Sequence, residues 1–453
     1  MNYDQLVLEY LDFEIPPYIR RDEVRLDLPR PARNNVIYTI TGVRRCGKTY
    51  RMYQLMDDLV AQGVPREKIF HFTFDDDRLE PMGDTTATDV FDAYLRLIPD
   101  ARQGCYLLFD EIQEAPNWTK FVRRVAEQYP VTVVLTGSSS KLMSRDIPTH
   151  LRGRSVAAEM WPLSFREYCD FHQVDHTSRA STFSSRVGQG LREAFDSYLD
   201  EGGFPAVQGL DKTLRMQLLQ AYQAEIVTKD VVERFETTSL RVAGRFARNA
   251  VRSTGLSFSV NAQLKDIRNS GMSVSTEKAY ALLADLEDSH LLFKVTDYEL
   301  SIKENPKVAY KVYAVDPGLA LAVAPASHLD IGQRLETAVF LELKRRYGAD
   351  RMRVISRYSG EGCPECDFVV GDVAMGEQYQ LIQVAAELMD ARDPEKSKKR
   401  VKRELGNIDA AMRNTGLAES TVVTLYEEEE VQMEHGVIHV VPAWKWFALP
   451  AVL

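Results

Sequence analysis

The chain has 453 residues, 45% hydrophobic and 27% charged, with a formal net charge of −10, a length that suits about three domains and a core needing no disulfide or metal staple. Five cysteines exclude a disulfide scaffold, and 25 glycines with 19 prolines exclude a collagen-like or low-complexity chain. The acidic balance argues against a chain-wide polyanion-binding surface, no apolar run of about 18 residues offers a membrane span, and the polar start Met1-Asn2-Tyr3-Asp4 is not that of a signal peptide, so a reduced, cytoplasmic protein is expected.

Residues 1–35 are charged and punctuated by Pro16, Pro17, Pro29 and Pro31, which predicts a helix and a lead-in segment. Residues 36–40 are rich in β-branched side chains and predict a strand, followed by a glycine-bearing loop and a helix over 50–61. Strands are predicted at 69–74, 105–109 and 131–135, with helices at 90–97 and 118–128 between them. This alternation implies βαβ units and a parallel sheet, hence an α/β class. Beyond residue 160 the texture turns helical, with apolar residues at helical spacing over 191–199 and 213–227; the polar stretch 172–190 is the best linker candidate.

Gly42-Val43-Arg44-Arg45-Cys46-Gly47-Lys48-Thr49 fits G-x-x-x-x-G-K-[ST] between a predicted strand and a helix opening at Tyr50. Such glycines let successive amides face one anion, and the helix N-terminus adds positive potential. Lys48 would serve the β- and γ-phosphates and Thr49 would ligate Mg²⁺. Cys105-Tyr106-Leu107-Leu108-Phe109-Asp110-Glu111 is an apolar strand with an acidic tip. Asp110 would hold Mg²⁺ and Glu111 would orient or deprotonate the attacking water. Asp75-Asp76-Asp77 is a rival cluster whose plainer reading is a solvated turn. Ser138, at the end of the fourth strand, is a candidate contact for the γ-phosphate or lytic water. Of Leu151-Arg152-Gly153-Arg154, Arg154 is the candidate finger toward a neighbouring subunit's nucleotide, against two plain surface arginines.

These residues resemble a family of AAA-type P-loop ATPases with a C-terminal domain of unknown function, the DUF4143 type. The resemblance extends through Asn117-Trp118, Leu135-Thr136-Gly137-Ser138-Ser139, Pro162-Leu163-Ser164-Phe165, Gly202-Gly203-Phe204-Pro205, Lys229-Asp230, Val315-Asp316-Pro317-Gly318-Leu319-Ala320, Glu365-Cys366-Asp367-Phe368-Val369-Val370 and Leu381-Ile382-Gln383-Val384. It implies a RecA-like AAA core, a winged-helix-like middle and a C-terminal α/β domain resembling the PD-(D/E)xK nucleases. The expected division is a lead-in at 1–35, the ATPase core at 36–165, a helical lid or connector at 166–240, the winged-helix-like module at 241–304 and a degenerate restriction-endonuclease-like domain at 305–453.

In the middle module, helices are expected over 242–253, 261–268 (with Asn261 as its cap) and 275–289, with a wing from 292–295 and 298–301. The third helix carries Glu277, Asp285, Glu287 and Asp288 against Lys278, a poor balance for DNA phosphates. In the C-terminal part, Glu336 and Asp367 match the two acids of the nuclease pattern, but Gln383-Val384-Ala385 stands where acid-x-lysine should. The fold is therefore expected without cleavage. Lys396-Ser397-Lys398-Lys399-Arg400-Val401-Lys402-Arg403 is either a solvated helix face or a contact for nucleic acid or an acidic protein. Cys363-Pro364-Glu365-Cys366 has no second pair for zinc, and His172 with His176 has no evident third ligand.

The sequence thus points to an ATP-binding, Mg²⁺-dependent ATPase, with a homo-oligomer as one partner option and no membrane. The alternative is a nucleotide-gated module that binds DNA or protein with little turnover; an active nuclease ranks last. ATP is favoured over GTP by the family resemblance and by the lack of an N-K-x-D motif.

Overall fold

The computed structural model describes residues 2–21, 24, 26–137, 153–177, 185–233, 239–298, 310–324, 330–347, 353–372, 377–389 and 393–448. They form two compact units, Met1–Trp161 with Asp288–His290, and Pro162–Glu287 with Leu291–Leu453. Among the described residues no helix is long and apolar enough to cross a membrane. All five cysteines are free and buried.

The first unit is built on a five-stranded sheet of β1 (Ile37–Thr41), β2 (Ile69–Thr73), β3 (Cys105–Asp110), β4 (Val131–Thr136) and β5 (Ser155–Glu159), in the order β2-β3-β4-β1-β5. Every neighbouring pair is parallel. Every residue of β3 and β4 is buried, as expected of central strands covered on both faces. The unit also contains α1 (Tyr3–Leu11), α2 (Lys48–Ala61), α3 (Thr86–Leu97) and α4 (Trp118–Gln128). Leu6 and Val7 of α1 join Phe70, Phe72, Phe91, Phe109 and Phe121 in one apolar core. One topological detail positions the site: β4 lies between β1 and β3. The tip of β4 therefore separates the glycine loop from the acidic tip, with Thr136 in register with Ile40.

The second unit begins with α5 (Phe165–Phe171), α6 (Ser185–Glu201) and α7 (Lys212–Ile226). Ser164 and Glu167 form a reciprocal capping box at the start of α5. A Cβ on Gly203 would lie 2.3 Å from the Leu163 carbonyl oxygen. Leu163 N–H donates to Gly203 O at 2.6 Å, and Gly203 N–H donates to Asp316 Oδ2 at 2.6 Å. Three of the motifs shared with the resembled family, around Ser164, Gly203 and Asp316, are thus one structural knot. The expected linker 172–190 is shorter than the composition suggested, because residues 185–190 already belong to α6.

Next come α8 (Leu240–Arg252), β6 (Leu256–Phe258), α9 (Val260–Asn269), α10 (Thr276–Asp288), β7 (Leu292–Val295) and β8 (Tyr310–Ala314). Their sheet has the order β6-β8-β7. Strand β7 pairs with β8; of the expected wing strand 298–301, Tyr298 lies outside the sheet and 299–301 fall outside the described residues. The cap of α9 is Ser259, whose Oγ accepts from Ala262 N–H, and not Asn261. After α11 (Pro317–Val323) and α12 (Ile331–Tyr347) comes a six-stranded mixed sheet. It comprises β9 (Arg353–Gly360), β10 (Cys363–Asp372), β11 (Glu377–Val384), β12 (Glu419–Thr424), β13 (Glu429–Gln432) and β14 (Val437–Pro442), ordered β13-β14-β12-β11-β10-β9. Strands β11 and β12 are parallel and joined through α13 (Pro394–Thr415), whose Leu405, Ile408 and Met412 cover Val369 and Leu381.

Candidate functional site

The glycine loop leaves β1 at Thr41 and enters α2 at Lys48. Gly42 has φ +154, and a Cβ there would lie 2.0 Å from the Met160 carbonyl oxygen, so no other residue fits. Gly47 (φ +103) and Arg45 (φ 68) complete the curl in the left-handed region. Val43 and Cys46 are buried beneath the loop, Arg44 is half-buried and Arg45 exposed. Burial raises the Cys46 thiol, leaving it un-ionised. Lys48 Nζ donates to the carbonyls of Gly42 (2.9 Å) and Val43 (3.2 Å), so its ammonium stands inside the curl. Tyr50 is half-exposed, its ring edge-on to Tyr53.

Arg21, from the lead-in segment, ties this loop down. Its guanidinium donates to Cys46 O at 3.0 Å and Trp161 O at 2.9 Å, and its backbone N–H donates to Gln54 Oε1. Nothing in the local sequence marks Arg21, because its partners are remote backbone carbonyls.

The acidic tip faces the loop across the end of β4. Thr49 Oγ1 donates to Asp110 Oδ2 at 2.6 Å, and Thr136 Oγ1 bonds to Asp110 Oδ1. Thr136 Oγ1 also accepts from Glu111 N–H at 3.3 Å. Glu111 occupies the left-handed region (φ 48), which turns the chain sharply after Asp110. Burial pushes the Glu111 carboxyl up, partly countered by the charge of Lys48. Gln113 donates its amide to Glu111 Oε2, while Gln113 Oε1 is buried without a partner among the described residues. The structure therefore brings Lys48, Thr49, Asp110 and Glu111 together and adds Thr136 and Gln113. Behind Asp110, His71 is buried against Tyr10 and Tyr53 and held neutral, its pKa lowered to about 4 chiefly by burial.

Other expected residues fall elsewhere. Ser138 and Arg152 lie outside the described residues. Arg154 precedes β5, at the end of the sheet away from the loop, and donates to Asn34 at 2.7 Å. Five residues of strand, about 16 Å, separate it from its own loop. Asp76 accepts from Tyr10 and Arg78 and caps a turn; its side chain is largely buried, so at that residue the turn is not the solvated one expected. Cys366 Sγ–H points to the carbonyls of Phe368 on β10 and Ile382 on β11, and His172 pairs with Gln208.

The second unit holds another acidic group, organised around a lysine that sequence reading missed. Lys311 Nζ on β8 lies 2.6 Å from Glu336 Oε1, 2.9 Å from Glu365 Oε1 and 3.0 Å from Asp367 Oδ1. Burial works against the Lys311 charge, but Asp367, Glu336 and Glu365 outweigh it and hold the ammonium protonated. Burial and the facing Asp367 raise the Glu336 carboxyl, against the pull of Lys311. Tyr313 OH donates to Glu336 Oε1 at 2.7 Å, and Val384 N–H to Asp367 Oδ2 at 2.9 Å. Gln383 accepts from Asp367 N–H and donates to Glu404 Oε2 at 2.8 Å. In the basic stretch of α13, Lys398 pairs with Glu395, Arg400 donates to Glu387 O and Arg403 pairs with Glu404; Lys399 and Lys402 are exposed.

Residues 34–169 match the family described as an AAA domain, and residues 192–330 match a domain of unknown function, DUF8612, a different number from the DUF4143 type expected. An uncharacterised protein of Methanocaldococcus jannaschii is 27% identical over 452 residues, covering 98% of this chain and 94% of its own. An uncharacterised protein of Haemophilus influenzae is 27% identical over 353 residues, covering 78% and 83%. Among solved structures, a Walker-type ATPase of Pyrococcus abyssi is 16% identical, covers 64% of this chain and 91% of its own, and superposes with a TM-score of 0.35. The Orc1 protein of Aeropyrum pernix, solved in complex with DNA, is 14% identical, covers 71% and 91%, and gives a TM-score of 0.27.

Proposed function

We propose, from the premise that residues 34–169 are an AAA domain of P-loop ATPase type, that this chain binds ATP with Mg²⁺ and hydrolyses it. The observation that carries the reading is the meeting of Lys48, Thr49, Asp110 and Glu111 at the carboxyl ends of β1 and β3. A hydroxyl and a buried carboxylate 2.6 Å apart make a hard-oxygen pair suited to Mg²⁺. Bound there, Mg²⁺ would neutralise charge on the β- and γ-phosphates.

The chain's own residues do the rest. The loop amides and Lys48, released from its two carbonyls, clasp the phosphates. Thr136 fixes the Asp110 carboxylate. Glu111, made more basic by burial, takes the proton of the attacking water. The orphaned Gln113 Oε1 gives that water an acceptor beside Glu111. Lys48→Ala should abolish ATP binding, whereas Glu111→Gln should retain binding and lower turnover by at least about 100-fold. Hydrolysis at the wild-type rate in both variants would rule the assignment out.

A second reading, nucleotide-gated binding with little turnover, is favoured by the amide of Gln113, which engages Glu111. Turnover that rises in Gln113→Ala would support it. Arg154 acts as a finger only on a neighbouring copy, so that role needs an oligomer. The five-part division stays part of this proposal, with 241–304 as a winged-helix-like module and 305–453 as a nuclease-like α/β domain without cleavage. Convergence of Glu336 and Asp367, with Gln383 turned toward Glu404, supports the latter. The exposed Lys399 and Lys402 are the proposed contacts for nucleic acid or an acidic protein.

A further inference from the structure

Three buried or half-buried carboxylates on two separate elements need a counter-cation. In the nuclease pattern that cation is a divalent metal, assisted by a lysine two residues beyond the last acid. Here that position is Ala385, and β8, far upstream in the chain, supplies an ammonium instead.

We infer that Lys311 is the resident cation of the Glu336, Glu365 and Asp367 trio, standing where a divalent ion would otherwise sit, and that these acids join β8 to the six-stranded sheet. An ammonium has three N–H donors; Lys311 donates to Glu365 Oε1 at 2.9 Å and Asp367 Oδ1 at 3.0 Å, and its charge pairs with Glu336 Oε1 at 2.6 Å. Tyr313 shares Glu336 Oε1 with Lys311, and Val384 N–H takes the second oxygen of Asp367. Gln383 spends its carbonyl on Asp367 N–H and its amide on Glu404, so the position that would complete a metal's oxygen set faces the seam with α13. A divalent ion entering between these acids would meet the Lys311 charge at contact distance, so the lysine would have to leave first. The arrangement converts a would-be catalytic centre into a joint between the three-stranded and six-stranded sheets. It stands independently of the ATPase reading.

The test compares Mn²⁺ binding, followed by electron paramagnetic resonance, in the nucleotide-free full chain and in Lys311→Met, Glu336→Gln and Lys311→Met/Glu336→Gln. Any background from the first unit is common to all four. The wild type and Glu336→Gln should bind Mn²⁺ alike. Lys311→Met should bind at least about tenfold more tightly and regain melting temperature as Mn²⁺ is added; the double variant should do neither. Wild-type binding that disappears in Glu336→Gln would overturn the inference, as would a folded Lys311→Met indifferent to Mn²⁺. If Lys311→Met does not fold unaided, recovery of soluble protein in Mn²⁺ but not in K⁺ supports the inference, and failure in both overturns it. Supercoiled DNA nicked by wild type with Mn²⁺ and left intact by Glu336→Gln would also overturn it.

Discussion

Asp110 and Asp367 are both strand carboxylates, 3% and 6% exposed, and each sits among further acids. Their neighbours differ in kind. Asp110 is held by the hydroxyls of Thr49 and Thr136, which are neutral and leave its charge available. Asp367 is held by the ammonium of Lys311, which spends that charge. A hydroxyl can turn from donor to ligand when a cation arrives, and an ammonium cannot. Burial of an acid therefore says little about metal binding until the charge of its donors is known.

Swapping the donors tests this contrast most severely. Lys311→Met should destabilise the second unit by about 3–5 kcal/mol, the cost of leaving buried charges unpaired, while ATP binding is unchanged; hydrogen exchange in β10 and nucleotide titration measure the two effects. In the first unit, Gly42→Ala should cost about 3 kcal/mol and remove ATP binding, since the added Cβ meets the Met160 carbonyl. Denaturant melts report the first effect and titration the second. Thr136→Val should cost about 1 kcal/mol, the ordinary worth of a hydrogen bond, and weaken ATP binding more at low Mg²⁺ than at high; the same variant at nearly normal affinity would show that Asp110 needs no support from β4.

The gentlest test is pH. His71 is held down to about 4 in the folded state, from an ordinary 6.5, so the stability it carries is present above 6.5 and is lost as pH falls toward 4. Asp316, raised to about 6 by burial, behaves oppositely: its contribution is full below its ordinary 3.8 and is lost as pH rises through 6. Lowering pH from 7 to 5 should speed hydrogen exchange in β3 relative to β10 after correction for intrinsic rates. Parallel changes in both strands would mean that neither group dominates its unit.

Much of the first unit could be read in advance because its signals are local. Residues 42–49 and 105–111 carry their chemistry in unbroken runs, and the β-branched and apolar stretches located four of the five parallel strands to within a residue or two. Thr136 stands in a quoted motif without a role of its own, because a threonine ending a strand is ordinary; only the insertion of β4 between β1 and β3 makes it a site residue. Lys311 escaped for a stronger reason. Its partners lie 25 to 56 residues further along the chain, and no spacing rule links a lysine on one sheet to acids on a helix and another sheet. Tyr298, the described residue of the second expected wing strand, looks like a strand residue in sequence, yet its hydroxyl is drawn to the Asp372 and Glu377 carbonyls.

The packing around Gly42 has a practical corollary. Met160 donates its N–H to Thr41 O at 2.7 Å, its carbonyl rests on Gly42, and the next carbonyl, that of Trp161, is gripped by Arg21. An indole is thereby moored to the phosphate loop on the last residue before the second unit begins. The protein carries its own fluorophore at that mooring, and the emission of Trp161, isolated by replacing the other three tryptophans with phenylalanine, offers a label-free optical readout of the loop.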